Sequence, residues 1–150
     1  MGLHRGNDNM KNLLKDWAKT MGKMCLFLTG WILLIHEGSH YITCLVFNGN
    51  PTYHITSVTC NVTGFNAFIV AIMPYIIGLG VMLFITKIWV RMAIFCDIVG
   101  NFAGSITGEI SNDYTTILHV NTGFYAISII IVITALIITM KEVKNYYETY

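Results

Sequence analysis

Charge is what this sequence has least of. Only 11% of its 150 residues are Asp, Glu, Lys or Arg and 55% are hydrophobic, whereas soluble globular chains carry roughly 25% charged residues. So few charges cannot keep a soluble surface wet, which excludes an ordinary cytosolic domain, a disordered chain and a coiled coil. The formal net charge of +1 leaves no basic field to hold nucleic acid. No Cys-x-x-Cys pair is present, so neither a zinc ribbon nor a thioredoxin-like motif is supported. Cys25, Cys44 and Cys96 lie in apolar runs, where a thiol acts as a small hydrophobe, and Cys60 sits in a polar connection. Internal repeats and low-complexity tracts are missing too. The length allows one domain, or one plus a tail, and the composition is that of a small polytopic membrane protein.

What the chain does have is apolar spans. The predicted fold class is an all-α membrane protein, a bundle of about four transmembrane helices with a short β-like connection between spans one and two. Residues 1–23 form a polar N-terminal segment, 24–140 the transmembrane core and 141–150 a polar tail. Leu13, Leu14 and Trp17 fall at helical spacing in the first segment, which predicts a short amphipathic helix on the membrane surface. The apolar stretch after it is too long for a signal peptide and lacks a small-residue cleavage site. Span one, about 24–47, is long enough to cross a hydrocarbon core of about 30 Å. Tyr53, Ile55 and Val58 in the connection 48–64 suggest short strands, a hairpin lying at the membrane surface. Span two, about 65–86, contains Pro74, Gly78 and Gly80, which favour a kink and close helix approach. Span three, 88 to about 103, carries Arg91 and Asp97, and span four covers about 123–140. Gly30 and Gly38 on span one read as packing positions.

The nine Lys and Arg residues are unevenly placed. Five precede span one, Lys87 and Arg91 flank the turn between spans two and three, and Lys141 and Lys144 follow span four. The connections 48–64 and 104–119 have none. By the positive-inside rule both termini are cytoplasmic and those two connections lie on the far side.

The strongest chemical signal is His36-Glu37-Gly38-Ser39-His40, an HExxH inside span one. On a helix, residues i and i+4 share a face, so both imidazoles can reach one ion. Glu37 is rotated roughly 100° from His36, beside the open coordination position, where a carboxylate takes the proton of an attacking water and delivers it to a leaving amine. Zn2+ suits two imidazoles and one carboxylate. Three polar side chains in mid-span are costly unless paired or metal-bound. The third ligand is sought among Asp97, Glu109 and Asp113. Asp97 would be costly unpaired in span three, and an ion pair with Arg91 or a hydrogen bond to a neighbouring helix accounts for it equally well. Glu109 reads as a solvated loop acid. Asp113 follows Ser111 and Asn112, either of which can cap a helix that aims Asp113 into the bundle. His54 and His119 read as loop histidines, and Tyr146, Tyr147 and Tyr150 as interfacial anchors.

With these residues in view, the chain resembles the site-2 protease-type intramembrane zinc metallopeptidases, and within them the minimal M50B-like branch. The HEGSH in span one, the β-like connection, the apolar second span and a late acid carry the likeness over about residues 24–140. Members of the branch have an aspartate before the last core helix, in a pattern like D-x-x-x-L followed by T-G. Asp113, Leu118 (one position late) and Thr122-Gly123 correspond to it. The resemblance implies metal ligands His36, His40 and Asp113, the general base Glu37, and a zinc-bound water activated by Glu37 for cleavage of membrane-embedded or membrane-proximal protein substrates. It departs from the larger relatives in having no LDG motif and no proline near it. The resemblance leaves the oxyanion or substrate-strand role of those relatives' asparagine, which is missing here, to Asn101 or Asn112. In those relatives the HExxH end of its helix faces the cytosol, whereas the charge distribution here puts that end on the opposite side. The alternative function is a non-catalytic metal-binding membrane protein, a scaffold or ion carrier.

Overall fold

The computed structural model describes residues 3–55, 57–107 and 122–148. A single unbroken helical rod opens the chain: α1 (Leu3–Gly30), one π-helical turn (Trp31–His36) and α2 (Glu37–Val46). No proline interrupts it, and the amphipathic segment is helical as expected. It is continuous with span one, however, and Met10, Leu13, Leu14 and Trp17 stand exposed on it; no break turns it aside.

The rod ends where the backbone turns left-handed. Asn48 (φ 55°) and Asn50 (φ 47°) are residues that tolerate that region. The Gly49 amide reaches back to the Cys44 carbonyl at 2.9 Å, satisfying one of the last carbonyls of the helix. A Cβ at Gly49 would lie 2.6 Å from a Val62 methyl and 2.7 and 2.8 Å from the Cys44 and Cys60 sulfurs, so only glycine fits.

Strands β1 (Thr52–His54) and β2 (Ser57–Thr59) form the expected hairpin, antiparallel with Tyr53 opposite Val58. It does not lie across the end of the rod. It folds back along α2, and the Tyr53 hydroxyl donates to the carbonyl of Leu33, thirteen residues or about 20 Å of helix before Val46. That fold brings Cys60 beside Cys44, and the two form a disulfide. Cys44 is therefore not a simple buried hydrophobe. By the chain-entropy argument, closing a loop of 16 residues contributes about 3 kcal/mol to holding the hairpin down.

Helix α3 (Gly64–Phe84) is apolar throughout, with Pro74 buried in its interior. At Gly78 the Ile94 side chain comes within 3.1 Å of where a Cβ would be, the close approach expected of that glycine. Among the described residues, Gly30, Gly38 and Gly80 meet nothing within 4 Å. Helix α4 (Ile88–Thr107) packs on α1, α3 and α5 (Thr122–Glu148), while α3 packs on α2 and α5. Trp31, Phe68, Ile72, Tyr75, Ile94 and Ile131 meet in one core.

Arg91 does not pair with Asp97. Its guanidinium donates to Glu142 of α5 at 2.6 Å and to the Ile85 carbonyl at 2.6 Å, tying the end of α3 and the start of α4 to the last turns of α5. The two residues are six apart on α4, so they point away from one another around the helix.

Among the described residues, three segments are long and apolar enough to cross a membrane: Asn12–Val46, Gly64–Phe84 and Tyr125–Asn145. Helix α4, which packs on α1, α3 and α5, carries Arg91 and Asp97, both buried. Outward faces of the other helices present bare hydrocarbon, with Leu26 78% and Phe84 88% exposed.

Candidate metal centre

The HExxH residues straddle the junction between the π-turn and α2. His36 ends the π-turn, Glu37 begins α2 and His40 follows one turn later. All three are buried. The two imidazole centroids are 5.0 Å apart, so the pair shares one face, as the i, i+4 spacing requires.

Each ring is held from behind through Nδ1. His36 Nδ1–H donates to Asp97 Oδ2 at 2.8 Å, and His40 Nδ1–H donates to the Val70 carbonyl at 2.8 Å. A carbonyl can only accept, which places the His40 proton on Nδ1; the carboxylate does the same for His36. In this tautomer the lone pair sits on Nε2, the form in which an imidazole binds a metal with its outer N–H anchored to a carboxylate or carbonyl. The chemistry of the donor set therefore fits one half of a zinc site. Among the described residues no third His, Cys, Asp or Glu joins them in a metal-sized group.

Asp97 receives more than His36. Trp31 Nε1–H donates to the same Oδ2 at 3.0 Å, and Asn101 Nδ2–H donates to Oδ1 at 3.2 Å. Of the readings open for Asp97, a third metal ligand, an ion pair with Arg91 or a hydrogen bond to a neighbouring helix, the contacts here are of the last kind. The π-turn makes this possible. At 3.6 residues per turn, residues five apart point roughly 140° away from each other; the i→i+5 repeat of a π-turn brings Trp31 and His36 onto one side. Both then reach a single carboxylate on α4. Asn101, one of the two asparagines singled out in the sequence, is one of the donors to that carboxylate.

Other partners lock His36 further. The Tyr75 ring of α3 sits edge-on to it with centroids 5.3 Å apart, and Ser39 Oγ–H donates to the His36 carbonyl at 2.7 Å. Trp31, Val70 and Tyr75 had no signal of their own in the sequence. The only clue was that a buried carboxylate at position 97 must find donors.

Asp113, Glu109, Asn112 and His119 lie outside the described residues. His54 lies on β1 and is exposed, away from the pair. No family model matches this chain, nor does any curated protein or solved structure.

Proposed function

We propose that this chain is an intramembrane zinc metalloendopeptidase of the site-2 protease type, close to the minimal M50B-like branch. The observation that carries the reading is the pair of buried imidazoles, each tied through Nδ1 and each carrying its lone pair on Nε2, with the carboxylate of Glu37 between them in the chain. The anchoring partners are of the kind that orient zinc-binding histidines. His36 and His40 hold Zn2+, and Asp113 is the third ligand. When bound, zinc polarises the scissile carbonyl and acidifies the attacking water. Glu37 accepts that water's proton and passes it to the leaving amine. Asp97 and Val70 keep the two rings from rotating out of position.

The substrate is a membrane-embedded or membrane-proximal protein segment, unwound to reach a centre this deep in a helical bundle. Apolar outer faces and three membrane-length segments support a multi-pass integral membrane protein, with α4 as the fourth span, enclosed by the others.

The termini are cytoplasmic and the hairpin faces the opposite, oxidising side. Two independent features support this. Lys and Arg are confined to the termini and the 87–91 turn, and the hairpin is closed by a disulfide, a bond that persists in oxidising compartments and is rare in the cytosol. In a background with Cys25 and Cys96 changed to Ser, Ile55→Cys at the 82% exposed hairpin tip should react with a membrane-impermeant maleimide on intact cells. A cysteine at Glu148 should react only after permeabilisation. The reverse pattern would invert the topology.

The zinc assignment is tested by metal analysis of the purified protein. About one zinc per chain is expected, lost in His36→Ala, His40→Ala and Asp113→Ala. A wild-type protein that takes up no zinc, or a His36→Ala variant that keeps it, removes the basis of the reading.

A further inference from the structure

His36, Glu37 and His40 are each no more than 7% exposed, yet a scissile bond has to reach the metal, so an element beside them must move. Among the described elements, α3 and α4 are fixed. Both contribute to the core, and they carry the Val70 and Asp97 groups bonded to the two imidazoles. The hairpin is different: neither strand contributes a residue to the core, and every residue of β1 is exposed.

This hairpin sits on the Glu37 side of the rod. Tyr41 and Cys44 follow Glu37 by four and seven residues, a spacing that puts all three on one face of α2. The hairpin is seated there at two points. The Tyr53 ring packs against Tyr41 with centroids 6.3 Å apart, and Cys60 is bonded to Cys44. Val58 and Cys60 also stand beside His40, as walls of one small cavity. We propose that the hairpin is a disulfide-latched lid over this face, released when a dithiol reductant cleaves the Cys44–Cys60 bond. The inference rests on the peptidase reading and adds how access to its site is controlled.

The disulfide dominates the attachment. What remains without it includes the Tyr53 hydroxyl bond to Leu33 and the Asn61 amide bond to Gly49. The strands are three residues each, and a two-stranded hairpin is marginal by itself. By the chain-entropy argument, closing the 16-residue loop shifts the balance between seated and released hairpin about a hundredfold.

Opening is a thiol–disulfide exchange. Cys44 is wholly buried and Cys60 half-buried, so a thiolate of the dithiol attacks Cys60 Sγ, and Cys44 leaves as a thiolate that takes up a proton. The second thiolate of the dithiol then displaces Cys60, which is protonated in turn. Two electrons and two protons pass to the chain, and the dithiol becomes a disulfide. In an oxidising compartment the closed state is the default, which makes the reductant the signal.

The experiment uses the full-length zinc-loaded protein in detergent, oxidised or reduced with a phosphine. Three quantities are read: amide exchange along the chain, the rate at which EDTA strips the zinc, and cleavage of fluorescent casein as an unfolded chain. Reduction should speed exchange over residues 49–60 about a hundredfold and leave α3 and α4 unchanged. Zinc stripping and casein cleavage should each rise at least about tenfold. Unreduced Cys44→Ala/Cys60→Ala protein should match the reduced form, which separates the latch from Cys25, Cys96 and the reductant. Cleavage by the oxidised protein with stripping and cleavage unmoved by reduction overturns the lid and leaves the peptidase reading standing. Faster exchange in α3 and α4 as well also overturns the lid, because reduction then unfolds the bundle. Faster stripping and hairpin exchange with no cleavage by either form overturns the peptidase reading and leaves the lid.

Discussion

Glu37→Gln is expected to slow peptide-bond hydrolysis about a thousandfold, within the 10²–10⁴ range of general acid–base catalysis, while zinc content stays near that of the native protein. The substitution keeps size and shape and removes only the capacity to accept a proton. Glu37 is 7% exposed, so bulk water has little access to substitute for it as a base. The anchors of the two rings proposed to hold the metal, Asp97 on α4 and Val70 on α3, do not involve the Glu37 carboxylate, which is why binding and turnover should separate. Single-turnover cleavage of a reconstituted membrane substrate, with metal analysis of the same sample, reads both. A variant that cuts at the native rate excludes Glu37 as the base. A native protein that holds zinc but cuts nothing, over a broad set of membrane substrates, favours the non-catalytic metal-binding alternative.

The second large effect is expected at Asp97. Asp97→Ala should weaken zinc binding about 10–100-fold, the usual cost of removing the partner that orients a histidine ligand. It also strands the Trp31 indole N–H in the core, at a cost of about 1–3 kcal/mol in folding. Asp97→Asn retains an acceptor oxygen and should be milder on both counts. Trp31→Phe separates the two roles: it removes a donor to the same oxygen but leaves the His36 bond, so it should lower stability by about 1 kcal/mol and barely change zinc affinity. Competition with a chromophoric chelator gives the affinities and thermal denaturation the stabilities. Equal zinc affinity in native and Asp97→Ala protein would mean that the 2.8 Å contact does not position His36. Complete loss of zinc in Asp97→Asn, with none in Asp113→Asn, would make Asp97 itself the ligand.

Much of this protein was legible from local patterns. The apolar spans read directly, because crossing length and hydropathy are properties of a contiguous stretch. The hairpin over 52–59 read from alternation in a short polar connection. HExxH read from a four-residue spacing that any helix turns into a shared face. In each case the decisive interaction lies within a turn or two of chain.

What only the tertiary structure decided spans long separations. Trp31 and His36 converge on Asp97 across 66 and 61 residues, and they do so because a π-turn replaces an α-turn, a choice nothing in Trp31–His36 announces. Arg91 took Glu142, 51 residues away, over the acid nearest it in sequence. Cys44 found Cys60 because the hairpin folds back along α2 instead of capping it. Hydropathy says which helices form and how long they are; which faces meet is set by the joint packing of all of them, and a polar side chain buried by that packing takes whichever partner the meeting faces bring within reach.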